Sequence, residues 1–233
     1  MRHLNYLVIL PLLFVVAGCG ARFVVNVDSI NSGYELQKNN YILLSSNEGV
    51  DVNDLQFQEY SQYIKRALSS LGFIEATDFN SAEVGIFLRY GIGDPQVTPF
   101  SFSEPVYGQT GGGMSTFSMS THGSSGYAKT HGTIYSSPTY GVVGSKTYSG
   151  TSVSYFRYMI IDCIDLGVYH RDKTMQQLWK TTVTSSGRSS DLREVFPVLV
   201  AASVPYIGTN TGKQIRIHLF ENESRVKQIK GLE

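Results

Sequence analysis

The stretch Val153 to Leu166 (VSYFRYMIIDCIDL) carries apolar residues on both alternating faces. A strand with one face in water alternates apolar and polar residues, whereas this pattern suits a strand at the centre of a sheet. The rest of the fold must therefore be arranged around it. Gln177 to Ser185 (QLWKTTVTS) is its expected hairpin partner, across a polar turn around Gly167 to Thr174. Tyr41 to Ser46, Ala82 to Tyr90 and Gln214 to Phe220 read as further strands, and Phe23 to Val27 as a short edge strand.

Two segments have a helical period. Phe57, Tyr60, Ile64, Ala67, Leu68 and Leu71 recur at spacings of three and four. Asp51, Asn53 and Asp54 precede them as N-cap candidates, and Gly72 follows as a C-terminal cap. Ser190 to Ala202 is the second segment, with Asp191 and Glu194 spaced as a capping box. Pro197 is awkward inside a helix, which offers a second start at Pro197 itself, as first helical residue. The charged tail from Glu221 is expected to fray. The element order implies an α+β fold: a mixed, largely antiparallel sheet with two helices packed on one face.

A long insert interrupts this pattern. Residues 101–150 hold 28 Gly, Ser and Thr against three charged residues, Glu104, Lys129 and Lys146. Bulky aliphatic residues are too sparse there to offset the entropy of ordering a core. Two states fit: a mobile loop, or a long irregular hairpin that a partner stabilises. Tyr107, Tyr127, Tyr135, Tyr140 and Tyr148 are spread through the insert, and tyrosine among Ser and Gly suits a contact surface. The plainer reading is a tolerated loop insertion.

The N-terminus carries an address. Arg2 and His3 precede a run, Leu4 to Val16, that is apolar apart from Asn5. It is shorter than the roughly 20 residues a spanning helix needs, and fits the apolar region of a signal peptide. Val16-Ala17-Gly18-Cys19 then resembles the lipobox of bacterial lipoproteins, which implies cleavage after residue 18 and acylation of Cys19. Gly20 stands where an aspartate would favour inner-membrane retention, so the resemblance implies an outer-membrane anchor facing the periplasm. The expected organisation is a signal peptide over 1–18, a tether over 19–40, and one α+β domain over 41–233 containing the insert.

Charge argues against nucleic acid. Lys plus Arg equals Asp plus Glu, at 19 each, and no basic stripe is visible. With Cys19 acylated, Cys163 has no intramolecular disulfide partner, and its apolar strand context reads as core.

No motif declares a chemistry. Gly111-Gly112-Gly113 lacks the lysine and hydroxyl residue of a phosphate loop. His122 and His131 are nine apart; a metal site would need further ligands, which only an assumed fold could supply as Cys163, His170 or Asp172, and the plainer reading is two exposed histidines. Asp162 and Asp165 are three apart, so in a strand they face opposite sides and suit turn hydrogen bonds. No Gly-x-Ser-x-Gly elbow occurs with a histidine partner. Trp179 reads as a sheet anchor. No cofactor, metal or catalytic set is expected.

The run Tyr158 to Asp165, a polar turn, and Gln177-Leu178-Trp179-Lys180 resemble the strand-turn-strand signature of an uncharacterised family of small Gram-negative lipoproteins. Leu71-Gly72-Phe73 and Ala82-Glu83 extend the likeness. The resemblance implies one α/β domain at the envelope and imports no activity. Cys163 in place of an aliphatic residue, the length of the insert, and Pro197 in the second helix depart from the pattern. The expected function is a non-enzymatic, outer-membrane-anchored interaction or structural module with an envelope protein as partner. The alternative is a periplasmic ligand-binding or hydrolytic domain with a cleft near Asp162, Asp165 and His170.

Overall fold

The computed structural model describes residues 21–33, 39–124 and 126–232. Cys19 and the signal segment lie outside the described residues. The chain divides into two compact units, one formed by residues up to Gln96 and from Ser154 onward, the other by Val97–Val153.

The first unit is a mixed sheet flanked by helices. Its strands are β1 (Arg22–Asn31), β2 (Asn40–Ser45), β3 (Ile74–Glu75), β4 (Val84–Ile92), the last part of β6 (Gly126–Asp165), β7 (Gln177–Gly187) and β8 (Ile215–Phe220). The order is β3-β2-β4-β6-β7-β1-β8, with β2 parallel to β3 and β4 and the other neighbours antiparallel. The Val153–Leu166 pattern is thus explained: β6 pairs with β4 on one side and β7 on the other, through registers such as Phe87↔Asp162 and Asp162↔Lys180.

Alternation decides what each strand buries. Phe23, Val25, Val27, Ile86, Leu88, Met159, Ile161, Cys163, Trp179, Val183 and Leu219 are buried on one face. Three helices cover that face: α1 (Leu55–Ser70), α3 (Leu192–Ser203) and α4 (Ser224–Lys230). α1 starts because Asp54 accepts a hydrogen bond from the Phe57 amide at 2.9 Å. It ends where Gly72, at φ +86°, turns the chain left-handed. Tyr60 stacks on Phe196 of α3 with ring centroids 4.1 Å apart, and both rings meet Tyr90 edge-on. This joins the two long helices to β4.

Several expectations are corrected. Four α-helices are present among the described residues instead of two. α2 (Leu166–Asp172) replaces the expected polar turn, and α4 replaces the frayed tail. Each is seven residues long, too short to display a period, and is set by its ends. Asp165 caps α2 by accepting from the Val168 amide at 3.1 Å, and Lys173 closes it left-handed at φ 57°. The helices also do not share one face. α2 lies on the side opposite α1 and α3, where Leu166 packs with Ala82 and Ile164.

β1 is internal, between β7 and β8, because the last strand adds outside it. α3 begins at Leu192, close to the Ser190 reading and not at the alternative start, Pro197. Its start is fixed by Asp191, which accepts from the Arg193 amide at 2.8 Å. Pro197 is sixth in the helix and forfeits one backbone bond, and the apolar burial from Val195 to Ala202 outweighs that loss. The spacing of the capping box is filled indirectly: Ser189 accepts from the Asp191 amide and donates to Glu194 at 2.6 Å. Leu71 leaves the buried stripe and is 40% exposed at the helix end.

The second unit pairs β5 (Gln96–Gly123) with the first part of β6. Ser103 meets Thr147 at 2.9 Å, Thr110 meets the Thr139 carbonyl at 3.3 Å, and Phe102 stacks on Tyr148. These pairs define an antiparallel hairpin. Almost every residue in it is exposed.

Candidate functional site

The five insert tyrosines all lie on this hairpin. Tyr107, Tyr135 and Tyr140 are each more than 70% exposed. Tyr127 is 58% and Tyr148 38% exposed. Phe100, Met114, Met119 and Val142 add exposed apolar surface among Ser, Thr and Gly. The triple glycine serves the backbone: Gly112 and Gly113 have φ of +82° and +100°, and a Cβ on Gly112 would collide with the Ser137 carbonyl oxygen. Glycine there lets the two strands cross closely. His122 packs at a tilt on Tyr127, and His131 lies beside Phe117 at an exposed hollow. Among the described residues no three His, Cys, Asp or Glu side chains are grouped to hold a metal ion.

Asp162, Asp165 and His170 have separate tasks. Asp162 accepts a 2.6 Å hydrogen bond from Gln177 Nε2 and lies 4.0 Å from Lys180 Nζ across the strand pair. Asp165 is buried as the α2 cap. His170 is exposed and stacks on Phe79 at 5.2 Å. Cys163 is fully buried, and burial, with a smaller contribution from Asp165, pushes its thiol up to about 12. It stays protonated and non-nucleophilic. Trp179 is buried against Phe73.

Sequence reading missed the most unusual polar group in the sheet unit. Arg157 is 1% exposed, on the helix-covered face of β6. Its Nη1 donates to the Ser189 carbonyl at 3.3 Å and its Nη2 to the Ser185 hydroxyl at 3.2 Å. Its Nε has no partner. No carboxylate of the described residues lies within 4.0 Å of it. Burial lowers its pKa, and the more distant Glu194 carboxylate partly offsets that. The signal was in the register: Arg157 shares parity with Met159, Ile161 and Cys163, so a period of two directs it into the core. It lines a hollow of about 380 Å³ with Arg22, Arg188, Glu194, Ser189 and Gly187.

No protein-family model matches the chain, and no curated protein is similar to it. A solved structure, a PDZ domain protein from Parabacteroides distasonis, is similar over 84% of this chain with 14% identity and a TM-score of 0.39. This chain spans 38% of that protein's length. A likeness of that size carries no argument about function.

Proposed function

We propose that the protein is an outer-membrane-anchored periplasmic lipoprotein, held through acylated Cys19, that acts as a non-enzymatic interaction module of the cell envelope. The observation that supports this reading is the hairpin. Two paired strands with solvent on both faces are marginal in water. A surface of tyrosines and apolar residues on a Ser/Thr/Gly ribbon gains most when a partner covers it. The partner proposed is an envelope protein, engaged through Tyr107, Tyr127, Tyr135, Tyr140 and Tyr148. No helix among the described residues is long and apolar enough to cross a membrane. In this reading the lipidated cysteine supplies the attachment. The alternative cleft near Asp162, Asp165 and His170 draws no support from their placement, since each is engaged in a separate local contact.

The test has two arms. Changing Cys19→Ser is expected to move the chain from the membrane to the soluble fraction. Photo-crosslinkers at Tyr107 and Tyr135 in intact cells are expected to capture an envelope protein, and pull-down from cells is expected to recover the same protein with the full chain and not with a variant lacking residues 101–150. Recovery of the same partners by that deletion variant overturns the role given to the hairpin.

A further inference from the structure

We propose that the hollow around Arg157 is a binding site for a phosphate group, and that its source is the headgroup of an anionic phospholipid. A guanidinium withdrawn from water without a counter-ion is costly. Arg157 is in that state: two long hydrogen bonds to neutral oxygens, an unpartnered Nε, and no carboxylate in ion-pair reach. Glu194, the nearest acidic candidate in the lining, is held by the Ser189 hydroxyl instead.

The lining includes two further arginines, Arg188 and Arg22, the latter with its Nη2 3.0 Å from His218 Nδ1, against the single carboxylate of Glu194. Three arginines to one carboxylate in the lining leave an excess of positive charge around this hollow, on a chain whose overall charge is zero. Guanidinium forks match the oxygens of phosphate, which favours that anion over a point-like halide. Gly187 makes room for the guanidinium itself, because a Cβ there would lie 2.6 Å from Arg157 Nη2.

The identity of the source rests on the membrane-anchor reading above. Ala21 lines the hollow, and it follows Cys19 by two residues, a contour of at most ~7 Å. An acylated Cys19 therefore keeps the hollow within reach of the headgroup layer. The phosphate site itself does not depend on acylation.

The full-length chain in nonionic detergent is titrated with inorganic phosphate, and separately in micelles doped with phosphatidylglycerol or phosphatidylcholine, following its melting temperature. Phosphate and phosphatidylglycerol are both expected to raise it, with phosphatidylcholine giving less. Arg22→Gln combined with Arg188→Gln, both at the rim, is expected to weaken each effect at least tenfold in apparent affinity. Arg157→Gln is expected to abolish them, and should that variant fail to fold, the rim pair decides. A response to phosphate alone overturns the lipid source. No response to either, or one unchanged in the rim pair, overturns the site. Fractionation of Cys19→Ser reads the anchor independently, so a failed anchor and a failed site are told apart.

Discussion

The sheet unit and the hairpin are built from the same element, antiparallel strand, yet they are held by different means. In the sheet unit, alternation sends one set of side chains under α1, α3 and α4, where burial of apolar area supplies most of the stabilisation. In the hairpin, both faces meet solvent, and cohesion rests on the backbone ladder with cross-strand contacts such as Ser103–Thr147 and Phe102–Tyr148. The contrast teaches that strand pairing alone gives order without a core. The sheet unit hides its bulky side chains, and the hairpin leaves its own in solvent.

The largest effect expected to sharpen this contrast comes from Phe196, which is fully buried and stacked on Tyr60. Phe196→Ala removes a ring shared by two helices and β4, and is expected to cost about 3–5 kcal/mol. Urea unfolding followed by the fluorescence of Trp179, the one tryptophan in the chain, reads it directly in the sheet unit. A loss below ~1 kcal/mol would break the picture of a densely packed core. Hydrogen exchange in the hairpin is expected to change far less than in α3.

A smaller effect is expected with alkaline pH, again confined to the sheet unit. Burial raises the Cys163 thiol from 9.0 to about 12, and the Tyr41 and Tyr60 phenols from 10.0 to about 12. The folded state thus favours the neutral forms. The associated stability is fully present below the unfolded pKa values and is lost as pH rises from about 9 towards 12. The urea midpoint read by Trp179 should fall between about pH 8 and about pH 10.5, and Cys163→Ala should flatten the early part of that fall. A pH-independent midpoint in the parent chain would contradict the burial of these groups.

How much of this was legible in the sequence follows from the same physics. The central strand, its β7 partner and the two long helices were readable because each repeats a burial pattern over nine or more residues. α2 and α4 were not, since seven residues offer two turns and their definition rests on caps such as Asp165 and Lys173. Pro197 left the start of α3 open because its local backbone cost is visible in the sequence and the apolar burial from Val195 to Ala202 that overrides it is not. β1 was assigned to an edge because nothing in its own residues reports that β8 pairs outside it. Among candidate site residues, exposure of the five tyrosines followed from composition. Arg157 was overlooked because it stands alone, and its meaning depends on Ser185, Ser189 and Glu194, which sequence does not bring near.

The smallest expected effect on stability is also the one that separates the two units most cleanly. Tyr107 and Tyr135 are 72% and 73% exposed, so replacing both with serine removes little buried area. The change in sheet-unit stability read by Trp179 should stay within ~0.5 kcal/mol. If the hairpin serves as a contact surface, the same double variant should lose its partner, because exposed tyrosines contribute chiefly when a second surface desolvates them. Stability and binding are then decoupled at these positions, as they cannot be at Phe196. A double variant that destabilises the sheet unit by more than ~1 kcal/mol would mean that the hairpin contributes to the core's stability, and the division between the units would fail.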